Sequence, residues 1–234
     1  MKSSPCVFCY QIQENCFCQF ISSISTTVPF VLLQHWKEQY RSSNTGRLLP
    51  LTIPETPCFT TANWEQLDAF GRCLESYQPY LLYPSEQAVT LSQFQEIRKK
   101  SPRPVCIVLL DGTWRQAKRL RQRLNTLSRL PCLRIDPVDP SVYQLRKQAQ
   151  SHHLSSIEAV IHLMKALSCA DPRPLEQLFE ILVQRGLRAR GILPKSKNAF
   201  KSLLVDTDPL DVEESLEFPD SLKFEGAPES AVDS

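Results

Sequence analysis

Val105-Cys-Ile-Val-Leu-Leu-Asp-Gly-Thr-Trp114 is the stretch on which the reading of this 234-residue chain turns. Six apolar residues in succession, three of them β-branched, fit a strand buried on both faces. Asp111 and Gly112 then end the run, and a polar helix follows through residue 124. Strand, tight turn and helix form the repeating unit of a parallel α/β sheet, in which ligands bind beyond the carboxyl ends of the strands. Outward from this unit the same alternation recurs. Strands are expected at 28–33, 79–83 and 131–135, and helices at 64–74, 88–99, 155–167 and 174–188, while 46–53 fits either element. Ser155 and Glu158 have the spacing of a capping box, which marks a helix start. Three polar loops leave strand ends: Tyr83-Pro-Ser-Glu86, Asp111-Gly-Thr-Trp114 and the turn before Ser155.

Composition narrows the class. The chain weighs 26.8 kDa, with 42% apolar and 22% charged residues, enough for one buried core plus appendages. The run at 105–110 is the longest apolar stretch, far short of the ~20 residues that span a bilayer, and the first ten residues hold no signal-like apolar segment. No membrane association is expected. Six glycines form no G-x-G pair, which excludes the Rossmann fingerprint and the P-loop.

The net charge of +2 hides an asymmetry: residues 206–234 hold ten acids and one base, so 1–205 carry 26 of the 27 bases and 15 of the 25 acids. A basic body with an acidic tail suggests a polyanionic partner; the alternative is that the tail, read as disordered, only keeps a basic protein soluble. Between Gly112 and Ile135 lie Arg115, Lys118, Arg119, Arg121, Arg123, Arg129 and Arg134, with no acid. Such a stretch suits an RNA backbone; the alternative is a solvated helix face balanced by the tail. Arg146 and Lys147 extend it, and His152 and His153 read as surface residues.

Nine cysteines cannot pair completely, which points to a reducing, cytoplasmic setting. Cys6, Cys9, Cys16 and Cys18 fall within thirteen residues as C-x2-C-x6-C-x-C. Four thiolates so spaced can enclose one structural zinc, leaving no open position for catalysis; two redox pairs are the alternative. Pro5-Cys6-x-x-Cys9 resembles half of the nucleobase-deaminase signature, but Met1-Lys-Ser-Ser4 before it hold no H-x-E, so that activity is not expected. Cys58, Cys73, Cys106, Cys132 and Cys169 are isolated and read as buried free thiols. Asp111, beside the core at a strand end, is either a general base or the N-cap of the next helix. Trp114 is either core packing or a stacking platform.

Asp111-Gly-Thr-Trp114 matches the D-x-T-W signature of the DTW-domain proteins. Leu32-Leu-Gln-His35, Asn44-Thr-Gly-Arg-Leu-Leu49, Leu82-Tyr-Pro-Ser-Glu86, Ser141-Val-Tyr-Gln-Leu-Arg146 and Ser155-Ser-Ile-Glu-Ala159 resemble that family's further motifs, in order, and the cysteine cluster fits too. The series covers residues 6–190 and is most similar to the bacterial tRNA-uridine aminocarboxypropyltransferases. Trp36 stands where the family usually has proline, and Ser156 where it usually has threonine.

The resemblance implies a SPOUT-like α/β fold, a mostly parallel sheet flanked by helices and knotted in its C-terminal part. The implied division is a four-cysteine zinc-binding segment at 1–24, a catalytic domain at 25–200 and an acidic tail at 201–234. It implies transfer of the 3-amino-3-carboxypropyl group of S-adenosylmethionine to N3 of a tRNA uridine, with methylthioadenosine leaving. Asp111 is then the candidate base, with Trp114 supporting the adenine or the nucleobase. Asn44, Thr45, Leu82, Tyr83, Pro84, Ser85, Leu110, Gly112, Thr113, Tyr143, Ser155, Ser156 and Glu158 join them around the co-substrate. Arg115, Lys118, Arg119, Arg134, Arg146 and Lys147 are the expected RNA contacts. tRNA is the expected partner, and no obligate protein partner is implied. The competing readings are another S-adenosylmethionine-dependent RNA modification on the same scaffold and a zinc-stabilised RNA-binding protein without activity.

Overall fold

A computed structural model describes residues 4–135 and 154–192. Tyr143, Arg146, Lys147, His152, His153 and the 201–234 tail lie outside the described residues. In chain order the elements are β1 (Phe30–Gln34), α1 (Leu48–Thr52), β2 (Cys58–Thr60), α2 (Trp64–Glu75), β3 (Gln78–Leu82), α3 (Leu91–Lys100), β4 (Val105–Asp111), α4 (Trp114–Arg123), α5 (Asn125–Ser128), β5 (Cys132–Leu133), α6 (Ser156–Leu167) and α7 (Arg173–Arg188).

The strands form one sheet in the order β2-β1-β4-β3-β5, and every pairing is parallel. The apolar runs read as strands are therefore buried on both faces. Phe30 and Leu32 of β1 join Ile107 and Leu109 of β4 in one core with α1, α3, α6 and α7. Val31, Leu33, Cys106 and Val108 face the other way, onto Phe70 and Leu74 of α2 and Leu127 of α5. Alternation through the sheet plane explains why these strands show no polar face.

Several boundaries moved for local reasons. The ambiguous stretch at 46–53 is helical, with Pro50 in its first turn, where a missing N–H costs nothing. The helix expected from 88 starts at Leu91, because Val89 is drawn to the sheet: its N–H reaches the Cys132 carbonyl and its carbonyl accepts from Arg134. Thr90 then caps α3 with a capping box completed by Gln93. The edge strand β2, three residues between prolines and polar residues, had no sequence signal. The N-terminal segment packs on the main core, with Cys9 and Phe17 wholly buried. All nine cysteines are free thiols; Cys106, Cys132 and Cys169 are buried as expected, whereas Cys58 and Cys73 are only half-buried. Among the described residues no helix is long and apolar enough to cross a membrane.

Candidate active site

Asp111 is the last residue of β4, in the middle of the sheet, and pairs in register with Gln34, the last residue of β1. It is not a helix cap: Thr113 caps α4 and Gln116 completes that capping box. The Asp111 side chain turns inward and is 4% exposed. Its Oδ2 accepts from Gln34 Nε2 at 2.9 Å and from Asn44 Nδ2, and its Oδ1 accepts from Ser156 Oγ at 3.1 Å. Three residues lying 77, 67 and 45 positions from Asp111 in sequence thus donate to one carboxylate. Each donor is placed by its own local structure. Gln34 ends an apolar strand, Asn44 is held where its Oδ1 accepts the Arg47 N–H at 2.9 Å, and Ser156 opens α6 beside its N-cap Ser155. Gly46 lets the loop come this close, since a Cβ there would lie under 3.0 Å from the carboxylate atoms of Asp111.

The surroundings are equally specific. Cys58, opposite Leu32 on β2, has its thiol pushed up to about 12 by burial and by the Asp111 charge, so it stays protonated. Desolvation lowers the pKa of the His35 imidazole, whose Nδ1 accepts from the Lys37 backbone N–H, and the His35 backbone N–H donates to the Asp111 carbonyl at 2.8 Å. On the far side of Asp111, Trp114 is 37% exposed, and its ring lies tilted against Tyr83, centroids 6.2 Å apart. The Arg121 guanidinium covers Tyr83 at 5.0 Å.

Of the residues expected around a co-substrate, Asn44, Asp111 and Ser156 meet directly, and Tyr83 and Trp114 meet each other. Leu82, Pro84, Ser85, Leu110, Gly112 and Thr113 belong to the same strand ends. Thr45 is buried in the Asn44 loop. Glu158 is buried with its carboxylate on the Ser155 N–H at 2.7 Å, where it caps α6. Gln34 and Gly46 were missed as site residues. A polar residue closing an apolar strand, and a glycine two residues past Asn44, were the available signals. Arg115, Lys118 and Arg119 are exposed on α4, and Arg134 is half-buried past β5.

The second cluster is the cysteine set. The Sγ atoms of Cys6, Cys9, Cys16 and Cys18 all lie within 4.8 Å of one another, with Cys6–Cys18 and Cys9–Cys16 at 3.6 Å. A tetrahedral zinc with Zn–S of ~2.3 Å requires sulfur separations of about 3.8 Å, so the four fit a single ion. The neighbouring Cys18 thiol foremost pulls the Cys9 thiol well down, while Cys16 and Cys18 are pushed up. The cluster is tied to the site. Arg47 Nη1 donates to the Cys9 carbonyl at 2.6 Å, and its second amino group reaches the Gln39 and Arg41 carbonyls. From Cys9 the path runs through Arg47 and Asn44 to Asp111.

The DTW domain family model matches residues 3–187. The chain belongs to the DTW domain family. Among its curated relatives is the Drosophila melanogaster protein named tRNA-uridine aminocarboxypropyltransferase 2, 28% identical over 79% of this chain and 77% of that protein. Proteins of the same name from Mus musculus and Macaca fascicularis are 27% and 26% identical, each over 81% of this chain and 67% of their own length. No solved structure matches the chain.

Proposed function

We propose that this DTW domain protein transfers the 3-amino-3-carboxypropyl group of S-adenosylmethionine to N3 of a uridine in tRNA. The observation that carries this is the convergence of three separate family motifs on the Asp111 carboxylate, in a chain similar over most of its length to proteins bearing that name. An RNA-binding adaptor has no use for such a buried polar knot, which costs desolvation and repays it only through geometry.

The reaction forms a bond between N3 and the side-chain methylene next to the sulfonium, breaks that carbon–sulfur bond and releases methylthioadenosine. The N3 proton must go to the protein. Asp111 is buried, so it works through the part-buried Ser156, whose hydroxyl donates to Oδ1: Ser156 takes the N3 proton and passes its own inward. Gln34 and Asn44 hold the carboxylate still, so nothing must reorganise when charge moves. Trp114, backed by the Arg121-covered Tyr83, offers a flat face for the adenine or the target base, and the strand-end loops from 82–85, 110–114 and 155–158 line the pocket with Asn44 and Thr45. The methyl must point away from N3 and the methylene toward it, which is a matter of positioning.

Arg115, Lys118, Arg119 and Arg134 supply the phosphate contacts. The four cysteines hold a structural zinc. The fold reading is SPOUT-like with a C-terminal knot, supported by the all-parallel sheet and by Ser156, after β5 in sequence, meeting Asp111 on the central strand β4. With it goes the division into a 1–24 zinc segment, a 25–200 catalytic domain and a 201–234 tail, working in the cytoplasm where tRNA and S-adenosylmethionine meet.

The test is nucleoside mass spectrometry of unmodified tRNA incubated with the protein and S-adenosylmethionine. The expected products are 3-(3-amino-3-carboxypropyl)uridine and methylthioadenosine. A methylated nucleoside with S-adenosylhomocysteine, or no modification in any tRNA, overturns the reading.

A further inference from the structure

The chain has three tryptophans, and all three are exposed: Trp36 by 52%, Trp64 by 71% and Trp114 by 37%. Tryptophan is on average highly buried, so this is not core packing. Their placement is systematic. Trp36 is the first residue of the 3-10 turn Trp36–Glu38 after β1, Trp64 is the first residue of α2 after β2, and Trp114 is the first residue of α4 after β4. Capping does not require an indole at these positions, since the caps are the side chains of His35, Asn63 and Thr113. The strands β2, β1 and β4 are neighbours in the sheet, so the three tryptophans succeed one another along its carboxyl edge. The β2 and β1 ends are bonded together, with Thr61 N–H on the Gln34 carbonyl at 3.0 Å and Trp36 N–H on Thr61 Oγ1 at 3.1 Å.

Charge decides what such an edge meets. Lys37 Nζ lies 5.0 Å over the Trp36 ring, and Arg115, Lys118 and Arg119 follow Trp114, whereas Arg41 pairs with Glu38 at 3.6 Å. Aromatic faces interleaved with cations suit unpaired nucleotides, whose bases stack while their phosphates meet the cations. At the β2 end Glu65 follows Trp64, and Asp68 pairs with Arg72 at 3.2 Å. That end therefore takes bases, and the phosphates run nearer α4.

We propose that Trp36 and Trp64 form a stacking subsite for unpaired nucleobases flanking the target uridine, continuing the Trp114 face along the sheet edge. This rests on the RNA-modifying reading above and names where the substrate's single-stranded part lies.

The test is intrinsic-fluorescence titration with an oligouridylate of about ten nucleotides, on the full-length wild type and on the Trp36→Ala/Trp64→Ala double variant. Stacking quenches the wild type, and the double variant loses most of that quench. Affinity falls by roughly 5- to 150-fold for each ring removed. The slope of log affinity against log salt stays the same, because no cation is lost. Trp36→Phe keeps most of the affinity, and an unchanged thermal midpoint and S-adenosylmethionine affinity exclude misfolding. Equal affinity of variant and wild type overturns the proposal, as does a wild type that does not bind the oligomer, which would leave the edge to a protein partner. A changed salt slope also overturns it. Failure of the catalytic reading is separate: it shows as wild type that binds and is quenched but forms no modified uridine.

Discussion

Asp111 accepts from Gln34, Asn44 and Ser156, and this arrangement sets what substitution there can do. In Asp111→Asn the amide oxygen can keep Gln34 and Asn44 while its NH2 donates to Ser156 Oγ, so the knot survives but no proton can be taken. Turnover should fall by at least about 100-fold in the tRNA assay, with thermal midpoint and tRNA affinity near wild type. Wild-type turnover would remove Asp111 from the chemistry. Gly46→Ala acts differently: its methyl meets the carboxylate itself, and overpacking of this kind costs about 1–3 kcal/mol. Denaturant unfolding should record that loss, and calorimetry a loss of S-adenosylmethionine binding. At this scale the sequence marked Asp111 but left its role open between base and cap. Thr113 turned out to hold the cap, because a cap must stand immediately before the helix with an extended backbone.

Among the elements, α4 and α7 carry separate consequences. The exposed cations of α4 stand on a helix that also presents Trp114, so Arg119→Glu should weaken tRNA binding and lower the salt slope by about one. Unchanged binding by filter retention would move the RNA surface elsewhere. On α7, burial raises the Glu180 carboxyl to about 7 from its ordinary 4.5. The native state then holds that proton more tightly than the unfolded state, so a stability penalty is absent below pH 4.5, grows between 4.5 and 7, and is complete above 7. Glu180→Gln should raise the thermal midpoint above pH 7 and leave it unchanged below 4.5. A pH-independent difference would contradict the burial of charge there. The long elements were legible because their apolar periodicity is decided locally, as for the capping box at Ser155 and the run at 105–110. β2 was not, because three residues with no pattern become a strand only when β1 offers a free edge.

For the whole molecule the decisive feature is that the cysteine cluster and the carboxylate are one connected structure. Arg47 bonds the Cys9 carbonyl and, through its own N–H, Asn44, while Arg185 of α7 donates to the Cys16 carbonyl. Metal analysis should return one zinc per chain, absent in Cys16→Ser. Chelation should lower both the thermal midpoint and S-adenosylmethionine affinity, since the loop that positions Asn44 loses its anchor. A metal-free protein that is stable and binds normally would remove the zinc and its link to the site together. The sequence by itself determined the parallel α/β class, the place of Asp111 at a strand end, the four-cysteine set and the one-sided charge after Trp114. Each follows from residues close together in the chain, where spacing, alternation and composition act directly. Only the tertiary structure decided which side chains meet Asp111, that Gly46 lets them approach, and that three tryptophans share one edge. Those facts depend on strand order and on contacts that reach 77 residues along the chain, as between Gln34 and Asp111, and no local pattern encodes which strand ends become neighbours.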